Sequence, residues 1–134
     1  MVDLEEDLPR IEKRVTFELN EWKVDPAGVE LLTHVAALVK SHPGFEILIG
    51  GHTDRSTGTL DWNLRLSYLR ATEVSRLLIE RGVPADSLTV LGFGFTRPVR
   101  GAEEERTEEQ KRLNRRVEFV NLGRKDGPGR SGAQ

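Results

Sequence analysis

Residues 51–71 read GHTDRSTGTLDWNLRLSYLRA and place a polar loop, bracketed by glycines, between an apolar run and a helix. The apolar run FEILIG at 45–50 is typical of a central strand that is covered on both faces. From about Leu60 to Arg81 apolar residues recur at helical spacing, and Gly82 ends the helix. The stretch is therefore predicted to be a strand, loop and helix unit with Asp54 at the carboxyl end of the strand.

One arginine of this helix points toward the core. At ~100° per residue, with Asn63 set at zero, Arg70 lies at about 340°, between the apolar positions Leu77 and Val74. A guanidinium on that side is partly desolvated and requires an anionic or hydrogen-bonding partner.

Asp54 is the nearest candidate partner for Arg70, because the loop after the strand leads back into the same helix. The residues allow two interpretations. The two side chains form an internal ion pair that fixes the loop, or they stand apart and bind a small zwitterion. In the second case Asp54 takes the ammonium, and Arg70 holds the carboxylate with a two-pronged hydrogen bond.

The remaining pattern predicts an α/β fold. Alternation in RVTFEL at 14–19 and in RRVEFVNL at 115–122 indicates strands, and SLTVLGF at 87–93 indicates a third. A helix is predicted to begin at Pro26 with Asp25 as its N-cap, and the charged residues 101–113 are predicted to be helical. The order βαβαβαβ predicts a two-layer sandwich, with helices packed on one mixed four-stranded sheet.

Length, charge and composition narrow the class of protein. The chain has 134 residues, a formal net charge of -2 and no cysteine. This indicates one domain, disfavours a general nucleic-acid binder and excludes thiolate chemistry. No apolar run is long enough to span a bilayer, and MVDLEEDLPR at 1–10 is unlike a signal peptide, so we expect any membrane association to come from an upstream anchor or barrel.

A set of motifs, in order along the chain, resembles the OmpA-like C-terminal domain family, which includes outer-membrane protein A, peptidoglycan-associated lipoprotein and MotB. The motifs are Gly51-His52-Thr53-Asp54, Gly58, Asn63, Leu66-Ser67, Arg70-Ala71, Gly92-Phe93-Gly94, Pro98 and Asn114-Arg115-Arg116-Val117. The resemblance covers roughly residues 13–121. It implies non-covalent binding of the peptidoglycan stem peptide through meso-diaminopimelate, whose distal centre is a zwitterion.

The resemblance also implies roles for single residues. Asp54 matches the aspartate that binds the diaminopimelate ammonium, and Arg70 matches the arginine that binds its carboxylate. The other matching positions of the site are Asn63, Thr53 through its backbone, Asn20 and Arg115. Arg116 matches a scaffolding position, since alternation places it on the opposite face of the strand.

Two features depart from the family pattern. The loop between Asp54 and Asn63 is one residue longer than is common, and Phe95 stands where an acid is frequent. We expect these differences to affect affinity and peptide preference. An OmpA-like domain that serves as a protein-interaction or structural module, without ligand binding, is the alternative.

The sequence does not predict a catalytic site or a metal site. His34, His42 and His52 lack metal-ligand spacing, and Ser56 and Ser67 lack the context of a nucleophile. We therefore expect no catalytic residues, no metal and no cofactor, and a hydrogen-bonding role for His52 in the loop.

The expected organisation is an extension or linker at 1–12, the binding domain at 13–122 and a disordered Gly-rich tail at 123–134. The family resemblance implies a location on the periplasmic side of the outer membrane, as part of a longer exported protein, and leaves a homodimer open.

Overall fold

The computed structural model describes residues 11–56 and 58–125. The expected extension at 1–12 and tail at 123–134 therefore lie largely outside the described residues, but residues 123 and 124 belong to the last strand and not to a disordered tail, because they pair with Glu46 and Phe45. The elements are β1 (Val15–Thr16), α1 (Pro26–Lys40), β2 (Phe45–Gly51), α2 (Leu60–Glu80), a 3-10 turn (Ala85–Ser87), β3 (Leu88–Gly92), α3 (Glu108–Asn114) and β4 (Arg116–Arg124).

The four strands form one mixed sheet in the order β1-β4-β2-β3. Strand β2 is parallel to β3 and antiparallel to β4, while β1 is antiparallel to β4. The core lies between the sheet and the helices, where Ile47 and Ile49 of β2 face Val74 and Leu78 of α2, all fully buried. This confirms the predicted α/β sandwich on a mixed four-stranded sheet.

The helix boundaries follow the local sequence. Asp25 caps α1 by accepting from the Gly28 N–H at 2.8 Å, and Pro26 takes the first helical position. Helix α3 is shorter than the predicted 101–113, because its start is fixed by a capping box between Thr107 and Gln110. Gly101 and Glu105 before it have positive φ, which breaks the helical path.

Strand β1 is also shorter than the predicted 14–19. Beyond Thr16, the carbonyl oxygens of Phe17 and Glu18 accept from the guanidinium groups of Arg115 and Arg70. Their hydrogen bonds therefore go to buried side chains instead of a neighbouring strand. The chain turns at 18–21, where the Glu21 N–H donates to the Glu18 carbonyl at 3.1 Å.

Helix α2 lies against the sheet at two glycines. A Cβ atom on Gly51 would lie 1.9 Å from the Ser67 carbonyl oxygen, and one on Gly92 would lie 2.6 Å from the Tyr68 backbone nitrogen. Only glycine allows this approach of helix backbone to strand backbone. The close contact brings Arg70, one turn further along α2, to the end of β2.

None of the described helices is long and apolar enough to cross a membrane.

Candidate functional site

A network of charged side chains is buried at the carboxyl end of β2. Asp54, Arg70 and Arg115 are 1%, 0% and 2% exposed. They come from three parts of the chain: the loop after β2, the middle of α2 and the junction of α3 with β4. The sequence predicted all three for the site, and the structure brings them together.

Asp54 is held by the backbone of its own loop and by Arg115. Its Oδ1 accepts from the Ser56 N–H at 2.9 Å, and its Oδ2 accepts from Nη1 of Arg115 at 2.8 Å. Of the roughly four lone-pair positions on a carboxylate, these contacts use two.

Arg115 extends the network to the surface. Its Nε donates to the Phe17 carbonyl at 2.8 Å, and its Nη2 donates to Oε2 of Glu108 at 2.8 Å. Burial opposes its charge, but the hydrogen bonds to Glu108 and Asp54 outweigh that effect and raise the pKa of Arg115. The hydrogen bond from Arg115 lowers the pKa of Glu108.

Arg70 contacts a different set of partners. Its guanidinium donates to the backbone carbonyls of Glu21, His52 and Glu18 at 2.7, 2.9 and 3.0 Å. Its cation also lies 5.1 Å from the centroid of the Phe17 ring. Burial lowers the pKa of Arg70 to about 10, against the attraction of nearby Asp54.

Asp54 and Arg70 therefore do not form the internal, hydrogen-bonded ion pair that was one interpretation of the sequence. In the part of the chain that the structure describes, Arg115 is the arginine hydrogen-bonded to Asp54, and all three partners of Arg70 are neutral carbonyl oxygens. Sequence reasoning missed this arrangement, since main-chain acceptors leave no signal in the side-chain pattern.

The remaining predicted positions lie around this network. Asn63 is fully buried and donates through Nδ2 to the Thr59 carbonyl at 2.8 Å, among other interactions. The Thr53 N–H donates to the Gly94 carbonyl at 2.9 Å, so it is used within the fold.

Asn20 lies at the tip of the 18–21 turn and has a φ of 60°. Its Oδ1 accepts from the indole N–H of Trp62 at 3.3 Å, which joins the turn to the start of α2. Since Glu18 and Glu21 of this turn contribute carbonyls to Arg70, the turn covers that guanidinium. Trp62 was not predicted as part of the site. A tryptophan in the polar stretch at the start of α2 was the sequence signal, and the structure shows its side chain exposed.

His52 does not hydrogen-bond within the loop through its ring, contrary to the expectation. Its Nδ1 is buried without a hydrogen-bond partner, and its Nε2 is 3.8 Å from Oε1 of Glu118. The backbone of His52, and not its ring, holds the start of the loop in place. Its N–H donates to the Arg116 carbonyl, and its carbonyl accepts from Arg70.

Phe95, the second departure from the family pattern, packs beside the loop that follows Asp54. The guanidinium of Arg55 lies 5.3 Å from the centroid of the Phe95 ring, and the Arg55 N–H donates to Glu105 at 2.9 Å. Among the described residues, no three histidine or acidic side chains are grouped to hold a metal ion.

The fold and site define a small mixed-sheet α/β domain with a buried ionic network at the carboxyl end of its central strand. The family model of the OmpA family matches residues 16–115, and the chain belongs to that family.

Its relatives include a probable lipoprotein YiaD of Escherichia coli, 40% identical over 106 residues, which cover 79% of this chain and 47% of the relative. The peptidoglycan-binding protein ArfA of Mycobacterium tuberculosis is 38% identical over 95 residues, covering 71% of this chain and 28% of ArfA. The chain thus spans less than half the length of these curated relatives.

Among solved structures, the peptidoglycan-associated lipoprotein from Burkholderia pseudomallei superposes with a TM-score of 0.76 at 32% identity. The match covers 83% of this chain and 91% of the lipoprotein. The C-terminal domain of Helicobacter pylori MotB has a TM-score of 0.75 at 22% identity, with 90% of each chain covered, and shares the fold.

Proposed function

We propose that this domain binds peptidoglycan non-covalently and without catalysis, through the diaminopimelate centre of the stem peptide. Family membership and the names of two relatives, a peptidoglycan-associated lipoprotein and a peptidoglycan-binding protein, support the general activity. The observation that carries the finer proposal is the hydrogen bonding of Arg70.

Arg70 is a buried cation without a hydrogen-bonded carboxylate in the described structure. Three of its five N–H groups donate to neutral carbonyls, which leaves two donors. Its lowered pKa reflects the cost of holding the charge away from water. A ligand carboxylate that accepts from the remaining donors would offset that cost with a charge-assisted hydrogen bond.

Asp54 supplies the complementary group. Two lone-pair positions of its carboxylate stay available for an ammonium beyond the contacts with Ser56 and Arg115. A carboxylate acceptor close to a guanidinium donor matches a free amino-acid centre, in which ammonium and carboxylate share one carbon. Diaminopimelate carries such a centre at the end of its side chain. Asn20, Thr53, Asn63 and Arg115 would complete the site.

The wider role follows from this binding. We infer that the domain, over residues 13–122, tethers an attached envelope protein to the cell wall on the periplasmic side of the outer membrane. The E. coli relative named as a probable lipoprotein and the relative from Pseudomonas fluorescens named as an outer membrane porin support this location.

One observation favours an alternative. Asp54 and Arg70 are 1% and 0% exposed, so both charges are closed off from solvent in the described structure, and the carbonyls of Glu18 and Glu21 cover Arg70. A site that never opens would leave an OmpA-like domain that serves protein interaction or structure.

Co-sedimentation with purified sacculi separates the two proposals. The wild-type domain is expected to pellet with sacculi and to be released by meso-diaminopimelate. Arg70→Leu should abolish pelleting, while Arg65→Leu, the same change at an exposed position of α2, should leave it intact. Folding of each variant is checked by circular dichroism. A wild-type domain that stays in the supernatant would support the interaction module instead.

A further inference from the structure

A cavity lies on the sheet face that is turned away from α2. It has a volume of about 150 Å³ and is lined in part by Gly50, His52, Phe93 and Glu118. Alternation along β2 puts Gly50 and His52 on the opposite face from the core residue Ile49. The cavity has room for about five waters at ~30 Å³ each, or for one small organic ion.

The imidazole of His52 is buried at this cavity. The residue is 3% exposed, and its ring stacks on Phe93 with centroids 5.2 Å apart. Its Nδ1 has no hydrogen-bond partner in the described structure, and its Nε2 is 3.8 Å from the Glu118 carboxylate, beyond hydrogen-bond distance. Buried polar atoms without a partner are rare in folded proteins, so this one points to a missing partner.

Two arginines give the cavity an excess of hydrogen-bond donors. The guanidinium of Arg97, an exposed residue, lies 4.1 Å from the Phe93 ring centroid and makes no hydrogen bond to a described residue. Arg116 donates to Glu118 and to the carbonyls of Asn114 and Arg97, which leaves two of its five N–H groups.

The charge around the cavity is positive. Arg14, Arg97 and Arg116 face a single carboxylate, that of Glu118, which is already engaged by Arg14 and Arg116. The positive charges of these arginines also disfavour protonation of His52, whose pKa is lowered chiefly by burial. A small anion would supply acceptors for the unused N–H groups of Arg97 and Arg116, and its negative charge would offset the positive charge around the cavity.

We propose that this cavity is a second binding site, specific for a small carboxylate, with Arg97 and Arg116 as its cationic contacts and His52 as its buried hydrogen-bonding contact. The carboxylate accepts from the guanidinium groups, while Phe93 and the sheet face cover its apolar part. The site does not rest on the zwitterion site, because the His52 side chain and the Asp54–Arg70 network lie on opposite faces of the sheet.

The test follows the three histidine side chains by ¹H–¹⁵N NMR while sodium acetate replaces sodium chloride at constant ionic strength. Saturable shifts are expected for the His52 ring alone, with exposed His34 and half-buried His42 as internal references. Arg97→Gln should weaken the acetate affinity about tenfold, the loss of one charge-assisted contact. Arg100→Gln, the same change at a neighbouring exposed position, should not.

Shifts of His52 that rise linearly with acetate, that match those of His34, or that persist unchanged in Arg97→Gln would overturn the proposal. Tighter binding of inorganic phosphate than of acetate would contradict the assignment to a carboxylate. The backbone amide spectrum of each variant confirms that it is folded.

Discussion

Nη1 of Arg115 lies 2.8 Å from Oδ2 of Asp54, and the two side chains are 2% and 1% exposed. This contact is the fully buried ion pair of the site, whereas Glu108, the other acidic partner of Arg115, is exposed. It joins the loop after β2 to the start of β4. It fixes the position of the Asp54 carboxylate and leaves Arg70 to bond with main-chain carbonyls. The proposed binding of a zwitterion would therefore depend on three charged groups instead of two.

Replacement of Arg115 should destabilise the domain strongly. Arg115→Met leaves Asp54 buried without its cation and is expected to lower the free energy of unfolding by about 3–5 kcal/mol. Arg112→Met, at a half-exposed position on α3, is the control and should cost less than about 1 kcal/mol. Urea denaturation measures both values, and equal losses would contradict the structural role of the buried pair.

Ligand binding should move the 18–21 turn, because its carbonyls cover Arg70. The chain has two tryptophans, and Trp62 bonds to Asn20 at the tip of the turn. In the Trp22→Phe variant the remaining emission comes from Trp62, and it is expected to change saturably with meso-diaminopimelate. Lysine, which lacks the second carboxylate, should give no change. Constant emission during binding that calorimetry detects would show that the turn stays closed.

His52 should make the domain less stable in mild acid. Burial lowers the pKa of His52 from 6.5 to about 4, so between these pH values the unfolded chain binds a proton that the folded domain does not. Stability from this source is present above pH 6.5 and falls as the pH drops toward about 4, by at most about 3 kcal/mol. The comparison of His52→Gln with His34→Gln by urea denaturation at several pH values measures it. An identical pH dependence in both variants would contradict the burial of a neutral imidazole.

Gly51 should tolerate no side chain. A Cβ atom there would lie 1.9 Å from the Ser67 backbone oxygen, so Gly51→Ala must push α2 off the sheet and is expected to cost about 3 kcal/mol or more. In Gly44→Ala the new Cβ atom has no neighbour within 4 Å, and only the φ of 95° is unfavourable. This should lower the free energy of unfolding by about 1 kcal/mol. Thermal denaturation ranks the two variants, and the reverse order would refute the close packing.

Much of the fold was predictable because its signals are local. Asp25 and Pro26 mark the start of α1, Gly82 ends α2, and the helical angle of Arg70 places it on the buried face, as the structure has it. The partners of Arg70 were not predictable, because they are carbonyl oxygens of Glu18, Glu21 and His52, and main-chain groups carry no residue-specific pattern.

The length of β1 and the partner of Asp54 escaped prediction for a related reason. The apolar and polar residues of RVTFEL at 14–19 alternate as in a strand. After Thr16, however, the carbonyls accept from the buried side chains of Arg115 and Arg70 and not from a neighbouring strand. The contact between Asp54 and Arg115 spans 61 residues along the chain and depends on the register of β4 against β2. Such contacts arise from tertiary packing, which overrides local periodicity.

Whether Asp54 and Arg70 together bind the zwitterion of diaminopimelate is tested by calorimetric titration of the domain with meso-diaminopimelate and with lysine. This pair of contacts predicts saturable binding of meso-diaminopimelate, none of lysine, and loss of binding in Asp54→Asn and in Arg70→Leu but not in Arg65→Leu. Equal binding of both compounds, or wild-type affinity in folded Arg70→Leu, would contradict it.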